Sequence, residues 1–366
     1  MKKSRGLKLV LVSAMVFLMV GMGITAPPSV VAAAKETIKL RIGSGHPKTT
    51  DWVRFLSDFY CKEVVKRVGE RTKYTLELSE HWAGSVAKLG EELESVEIGI
   101  LDMGALITPF EPTKMYIHNF AYNVPFYVSD PRAAARVHVK LFKEFPAFKN
   151  ELRKYNQIYL GAGAVGDYGL NTTFPLRKTG DALNHKIAAA GPNLPFISGV
   201  GAVPVQGNLN EAYSGLQTGV YEGWIMMPGS IVGFKLYEIA KHYTEMNFGA
   251  VNGVLVLTIN SKVWDKLPQE VRAILQEVGD EYTVKEADYI VDVTKQAMKV
   301  LKDNGTNIYI MPSEEKVKWA KKLINLPKKF AKEADAKGLP GTAIMRAVMK
   351  YSEEEGHVFP RKWMDE

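Results

Sequence analysis

Apolar and polar positions along the chain switch repeatedly between two periods. "TIKLRIGSG" (37–45) alternates as a strand that ends in a glycine turn, and "KYTLELSE" (73–80) alternates likewise. Between them "DWVRFLSDFYCKEVVKRVGE" carries apolar residues at helical spacing from Asp51. "VAKLGEELESVEIG" (86–99) predicts a helix stopped by Gly99, and "ILDMGALIT" (100–108) a buried strand. Short βα units of this kind imply a parallel-rich sheet flanked by helices. The pattern restarts with "QIYLGAGAV", "NHKIAAAG", the helical "LNEAYSGLQTG", "GWIMM" and "GVLVLTIN", which predicts a second α/β lobe.

One segment is longer than either lobe needs. From Pro268 to about Asn304, apolar residues recur at helical spacing behind a starting proline, with Asn-Gly at the end. At ~1.5 Å per residue a continuous helix here spans roughly 50 Å, enough to cross two lobes. Gly279 is the point at which it can break.

Length agrees with two lobes: 366 residues is long for one domain. Apolar content of 46% with 24% charged residues is ordinary for a globular protein. The first residues stand apart. Lys2, Lys3, Arg5 and Lys8 precede an apolar run from Leu9 to Val20, and "SVVAAAKE" supplies small residues for a signal peptidase. Residues 1–34 therefore read as an export signal cleaved after Ala34; a retained anchor is the rival reading, against a short run broken by Gly21, Gly23, Pro27 and Pro28. Loss of these residues removes four basic groups and no acidic one, taking the formal charge from +7 to +3. The remaining lysines are scattered or lie on helical faces such as residues 314–338, so nucleic-acid binding is not expected. Cys61 is the one cysteine, without an intramolecular partner or a lipobox position, and reads as a packed thiol.

Catalytic motifs are weak. "GAGAVGD" (161–167) matches G-x-G-x-x-G after a strand, but extended, proline-containing chain follows where a dinucleotide site needs a helix. The glycines fit a close backbone crossing between lobes. The histidines at 46, 81, 118, 138, 185, 242 and 357 show no metal-site spacing, and no G-x-S-x-G elbow is present. No catalytic residue, metal or cofactor is expected. Aromatic residues remain: Trp52, Trp82, Tyr122, Tyr168 and Trp224 lie near strand ends or in the loops after them. Ligands of open α/β sheets bind outside the carboxyl ends of strands, and a cleft between two lobes collects such positions.

These residues resemble the extracytoplasmic solute receptors of tripartite ATP-independent periplasmic (TRAP) transporters, of the C4-dicarboxylate-binding type. "ELSEHWAGSVAKLGEELESVEIGILDMG", "NVPFYVSDP", "EAYSGLQTGVYEGW" and "INSKVWDKLPQEVRAIL" follow the family's segments in order, with Gly215 and Glu222 as mild departures from its strongest signature. The resemblance implies a two-lobed α/β periplasmic binding protein in which the long helix spans both lobes. Lobe I would comprise 35–165 with about 277–312, and lobe II 166–276 with about 313–366. It further implies a periplasmic receptor that captures a small organic acid, hands it to membrane permease subunits and catalyses nothing. A ligand-sensing module for a histidine kinase and a secreted enzyme on a similar scaffold are the alternatives.

Most relatives carry an arginine for the ligand carboxylate where this chain reads "HKIAAAG", at Ala188. Its loss removes a contact worth ~1.5–3 kcal/mol unless replaced. The alanines then read either as a pocket wall widened for an aromatic or apolar acid, or as simple packing. His46, the backbone after Gly191, or the Asn193 amide would take the anion. Asn171, Asn208, Met227 and Asn252, with Trp52, Trp82, Tyr168 and Trp224, complete the candidate cleft.

Overall fold

The computed structural model describes residues 35–366, so the proposed export signal lies outside the described residues. Two sheets organise the chain. The first has strand order β2-β1-β3-β10-β4, built from β1 (Glu36–Gly43), β2 (Tyr74–His81), β3 (Met103–Ile107), β4 (Gln157–Val165) and β10 (Val251–Asn260). The first three run parallel, while β10 lies antiparallel between β3 and β4. The second sheet has order β11-β9-β5-β8-β6-β7, from β5 (Gly169–Thr172), β6 (Lys186–Ala189), β7 (Val203–Gln206), β8 (Gly223–Met226), β9 (His242–Glu245) and β11 (Asn307–Ile310).

Three expected assignments change. "GVLVLTIN" was expected with the second lobe, yet all ten residues of β10 are buried in the middle of the first sheet. Residues 307–310 were expected with the first lobe, yet β11 pairs with β9 at the edge of the second. The C-terminal helix Gly341–Glu354 also returns to the first sheet's side. There it meets the helix Pro131–Glu144 through the Lys140–Glu354 ion pair, and Arg136 reaches Glu355 just beyond it. In each case pairing is decided by long-range partners that local periodicity does not encode.

Helices follow the predicted pattern with local changes. The segment from Asp51 runs as helix (Asp51–Phe55), a wider π-turn (Leu56–Cys61) and helix again (Lys62–Arg71). Cys61 is buried there, and burial pushes its thiol well up. The helix expected over 86–99 is confined to Glu92–Glu97, because Gly90 adopts a φ of 84°. Gly99, at φ 81°, ends it as expected.

The long helix is continuous from Gln269 to Asp303, 35 residues or about 52 Å. Gly279 does not break it. A Cβ on Gly279 would lie 2.1 Å from the Leu160 carbonyl oxygen, so this glycine lets the helix press against β4. "GAGAVG" serves the same contact from the strand side. A Cβ on Gly161 would stand 2.6 Å from the Gly279 carbonyl oxygen, and one on Gly163 2.6 Å from Glu286 Oε2. Arg67 ties the helix Lys62–Arg71 to the long helix through Glu277 and Glu281, at 2.8 and 2.6 Å.

Two chain crossings join the sheets, one from β4 to β5 through Gly166–Tyr168, the other from β9 to β10 through residues 246–250. They are bonded to each other. Tyr168 N–H donates to Gly249 O and Phe248 N–H donates to Tyr168 O, at 3.2 and 3.1 Å. The Asp167 carboxylate accepts from Asn247 Nδ2 and Gly249 N–H at 2.6 and 2.9 Å.

Candidate ligand site

Loops at the carboxyl ends of strands from both sheets converge on one narrow cavity of about 50 Å³. The first sheet contributes His46 after β1, Pro109 and Phe110 after β3, and Val254 from β10. The second contributes Ala190 and Asn193 after β6, Gly207 and Asn208 after β7, and Trp224 to Met227 from β8 and its end. Trp52, Tyr122 and Tyr168 close the walls.

Local structure positions each group. Gly45 and Gly90 donate their N–H groups to Glu92 Oε1 and Oε2, at 2.8 and 2.7 Å, which fixes the loop carrying His46. Trp52 Nε1 donates to His46 Nδ1 at 3.3 Å, so the neutral imidazole carries its proton on Nε2. Burial lowers the His46 pKa to about 4, and the ring is uncharged at neutral pH. Phe110 meets the same imidazole edge-on, with centroids 6.0 Å apart. On the other wall the Tyr122 and Tyr168 hydroxyls lie 3.2 Å apart. Burial raises the Tyr168 pKa to about 12, against lowering contacts from Tyr122 and Asn193. Trp224 packs edge-on to Tyr221 at 5.0 Å and over Gly207, where an added Cβ would meet its ring at 2.7 Å.

The lining contains no lysine, arginine, aspartate or glutamate. An ion in such a site must be held by neutral donors. Open grooves of about 500 Å³ occur elsewhere: one beside β9 and β11 with Arg177 and Lys302, and one that adjoins the cavity, sharing Pro109 and Phe110 and adding Gly191, Gln206, Lys329 and Glu333. Among the described residues no cluster of His, Cys, Asp or Glu is arranged to hold a metal ion.

Of the candidate residues, His46, Trp52, Tyr168, Asn193, Asn208, Trp224 and Met227 line the cavity. Five lie elsewhere. Trp82 donates its indole N–H to Glu80 at 2.8 Å. Asn171 Nδ2 donates to the Ala240 and His242 carbonyls, both at 2.9 Å, as a structural tie within the second sheet. Ala188 is fully buried within β6, beneath the wall; of the three alanines only Ala190 reaches the cavity. Gly191 lies with Pro192 and Gln206 in a neighbouring groove that shares Pro109 and Phe110 with the cavity. Asn252 sits in β10 opposite Ala164, buried with neither side-chain polar atom partnered.

Pro109, Phe110, Gly207, Leu209, Ile225, Met226 and Val254 were not foreseen as site residues, and Tyr122 was seen only as a ring near a strand end. The carboxyl-end rule, applied to β3 and β7 as it was to β6, singles out Pro109, Phe110 and Gly207. Val254 required knowledge that β10 lies in the first sheet.

Comparison with known proteins identifies the family. The family model described as bacterial extracellular solute-binding protein, family 7, matches residues 57–333. The C4-dicarboxylate-binding periplasmic protein DctP of Rhodobacter capsulatus is 27% identical over 258 residues, covering 67% of this chain and 74% of its own. A TRAP periplasmic solute binding protein from Bordetella bronchiseptica, solved with bound (R)- and (S)-mandelate, shares the fold: TM-score 0.74, 22% identity, 87% of this chain and 99% of that one. So does one from Rhodoferax ferrireducens in complex with copurified benzoate, at TM-score 0.77, 14% identity, 87% of this chain and 98% of that one. No helix among the described residues is long and apolar enough to cross a membrane. With a match over most of its length, the chain belongs to family 7 of the bacterial extracellular solute-binding proteins, the DctP-type receptors of TRAP transporters.

Proposed function

We propose that this receptor captures a small aromatic or otherwise apolar organic acid in the cavity between its sheets and delivers it to the membrane permease of a TRAP transporter. The observation that carries the reading is the lining itself: aromatic and aliphatic side chains with neutral polar groups and no charged residue. Burying two carboxylates against such a surface, without the arginine that relatives place at Ala188, is unfavourable, which argues against a C4-dicarboxylate. A single carboxylate has neutral donors within the lining in His46 Nε2–H, the tyrosine hydroxyl pair and the Asn208 amide. Mandelate and benzoate in two proteins of the same fold are acids of this class.

A cavity of about 50 Å³ holds only a few water molecules, so a solute has to be admitted by parting of the walls. The two bonded crossings and the long helix are the connections about which the lobes would open. Residues 1–34 would direct export to the periplasm and be removed there. Mass spectrometry of solute released from freshly purified, denatured protein tests the assignment. An aromatic or apolar monocarboxylate is expected; recovery of succinate, malate or fumarate would refute it.

A further inference from the structure

We infer that the solute carries, besides its acidic group, a hydrogen-bond donor (a hydroxyl or an N–H) directed at Asn193, and that Asn193 selects for it. The inference rests on the proposed aromatic-acid reading and specifies it. Asn193 closes the short turn Gly191–Asn193 after β6, its backbone N–H tied to Ala190 O at 2.9 Å. The residue is 1% exposed and its side chain lines the cavity. Its Oδ1 has no hydrogen-bond partner within the protein. Of the side chain's two polar atoms, Oδ1 is the one that is buried without a partner.

The other polar groups of the cavity have the opposite character. His46 Nδ1 is occupied by the Trp52 indole, so the ring offers the cavity an N–H. Asn208 Oδ1 accepts the Asn210 N–H at 3.0 Å, leaving its amide N–H groups. The Tyr122 and Tyr168 hydroxyls satisfy one another and have one proton to spare. Several donors thus await the carboxylate, while one buried acceptor awaits a donor. A buried acceptor left unpaired is costly, so a solute that supplies the donor is favoured over one of equal shape that does not.

The test compares matched acids on the wild type and on Asn193→Leu by calorimetry: benzoate against the three monohydroxybenzoates, and phenylacetate against mandelate. The wild type is expected to bind at least one hydroxylated acid tenfold or more tighter than its parent. In Asn193→Leu, with folding checked by circular dichroism, that ratio is expected to fall to about one, whatever the change in the parent acid's own affinity. A wild-type ratio near one in every pair, with the parent acids binding, overturns the role of Asn193 and leaves the aromatic-acid reading standing; it needs no variant. A preference that survives in Asn193→Leu does the same. Failure of the wild type to bind any of the acids overturns the aromatic-acid reading, and this inference with it.

Discussion

Ala188 and Trp224 are register partners across the parallel β6–β8 ladder, so their side chains share one face of the second sheet. The pair sets a methyl group beside an indole, and both are buried, at 0% and 2% exposure. Of the two, Trp224 lines the cavity and Ala188 does not.

This arrangement sets the outcome of restoring the arginine. In Ala188→Arg the guanidinium would be buried beside a cavity lining without a carboxylate, so stability should fall by about 3 kcal/mol or more. Trp224→Ala should cost about 3–5 kcal/mol through the space left beside Gly207 and Tyr221. Urea unfolding followed by circular dichroism measures both. An Ala188→Arg variant as stable as wild type would show that β6 has room and a partner for the charge.

Gly279 and Gly69 make an informative pair, since both lie within helices. Helix propensity alone favours alanine at either by about 1 kcal/mol. An added Cβ meets nothing within 4 Å at Gly69 but would stand 2.1 Å from Leu160 O at Gly279. Gly69→Ala should therefore stabilise by roughly 0.5–1 kcal/mol, and Gly279→Ala should destabilise by about 1–3 kcal/mol. Shifts of the urea midpoint at constant m-value are the measurement.

Glu92 links the site to pH. Burial raises its pKa to about 7, in opposition to the Gly45 and Gly90 N–H groups that lower it. Its value in an unfolded chain is near 4.5, so folding favours the protonated form. Stability from this group is fully present below about pH 4.5, declines as pH rises to about 7 and is level above. The stability of wild type relative to Glu92→Gln should fall across that window. Glutamine cannot accept from both glycines with its two side-chain atoms, so the variant should also be less stable at low pH by about 1–3 kcal/mol. Melting temperatures of the two proteins between pH 4 and 8 provide the comparison; a pH-independent difference would place the Glu92 pKa outside the window.

Opening and closure are measurable in solution. Because the cavity is nearly closed, solute-free protein should show a larger radius of gyration by small-angle scattering than this structure gives, and bound solute should reduce it. A hundredfold excess of solute over its Kd should add about 2.7 kcal/mol of stability. Tight binding without compaction would count against hinged lobes.

Much of the architecture was legible because it is written in local periodicity. The alternation at 37–43 and 74–80, the helical spacing from Asp51, and above all the 35 residues from Gln269 each signal an element within a few turns of chain. The ordered segments from "ELSEHW" to "LPQEVRAIL" pointed to the family in the same way. Seven of twelve candidate site residues proved to line the cavity, chiefly those picked as rings or polar groups just beyond strand ends. Trp82 and Asn171 meet the same local criteria, but their hydrogen bonds run to Glu80 and to the Ala240 and His242 carbonyls.

By itself the sequence determined that the chain alternates strands and helices, and that a helix long enough to cross two lobes follows Pro268. Only the tertiary structure decided that β10 enters the first sheet and β11 the second, and that Gly161 and Gly279 face each other rather than a cofactor or a helix break. The cavity, too, belongs to the tertiary level: Val254, Phe110 and Trp224 meet there from separate parts of the chain. The reason is physical. Hydrophobic period reports which face of an element is buried, whereas the partner that buries it is chosen by packing and strand pairing among residues that can lie more than two hundred positions apart, as Arg67 and Glu277 are 210 apart.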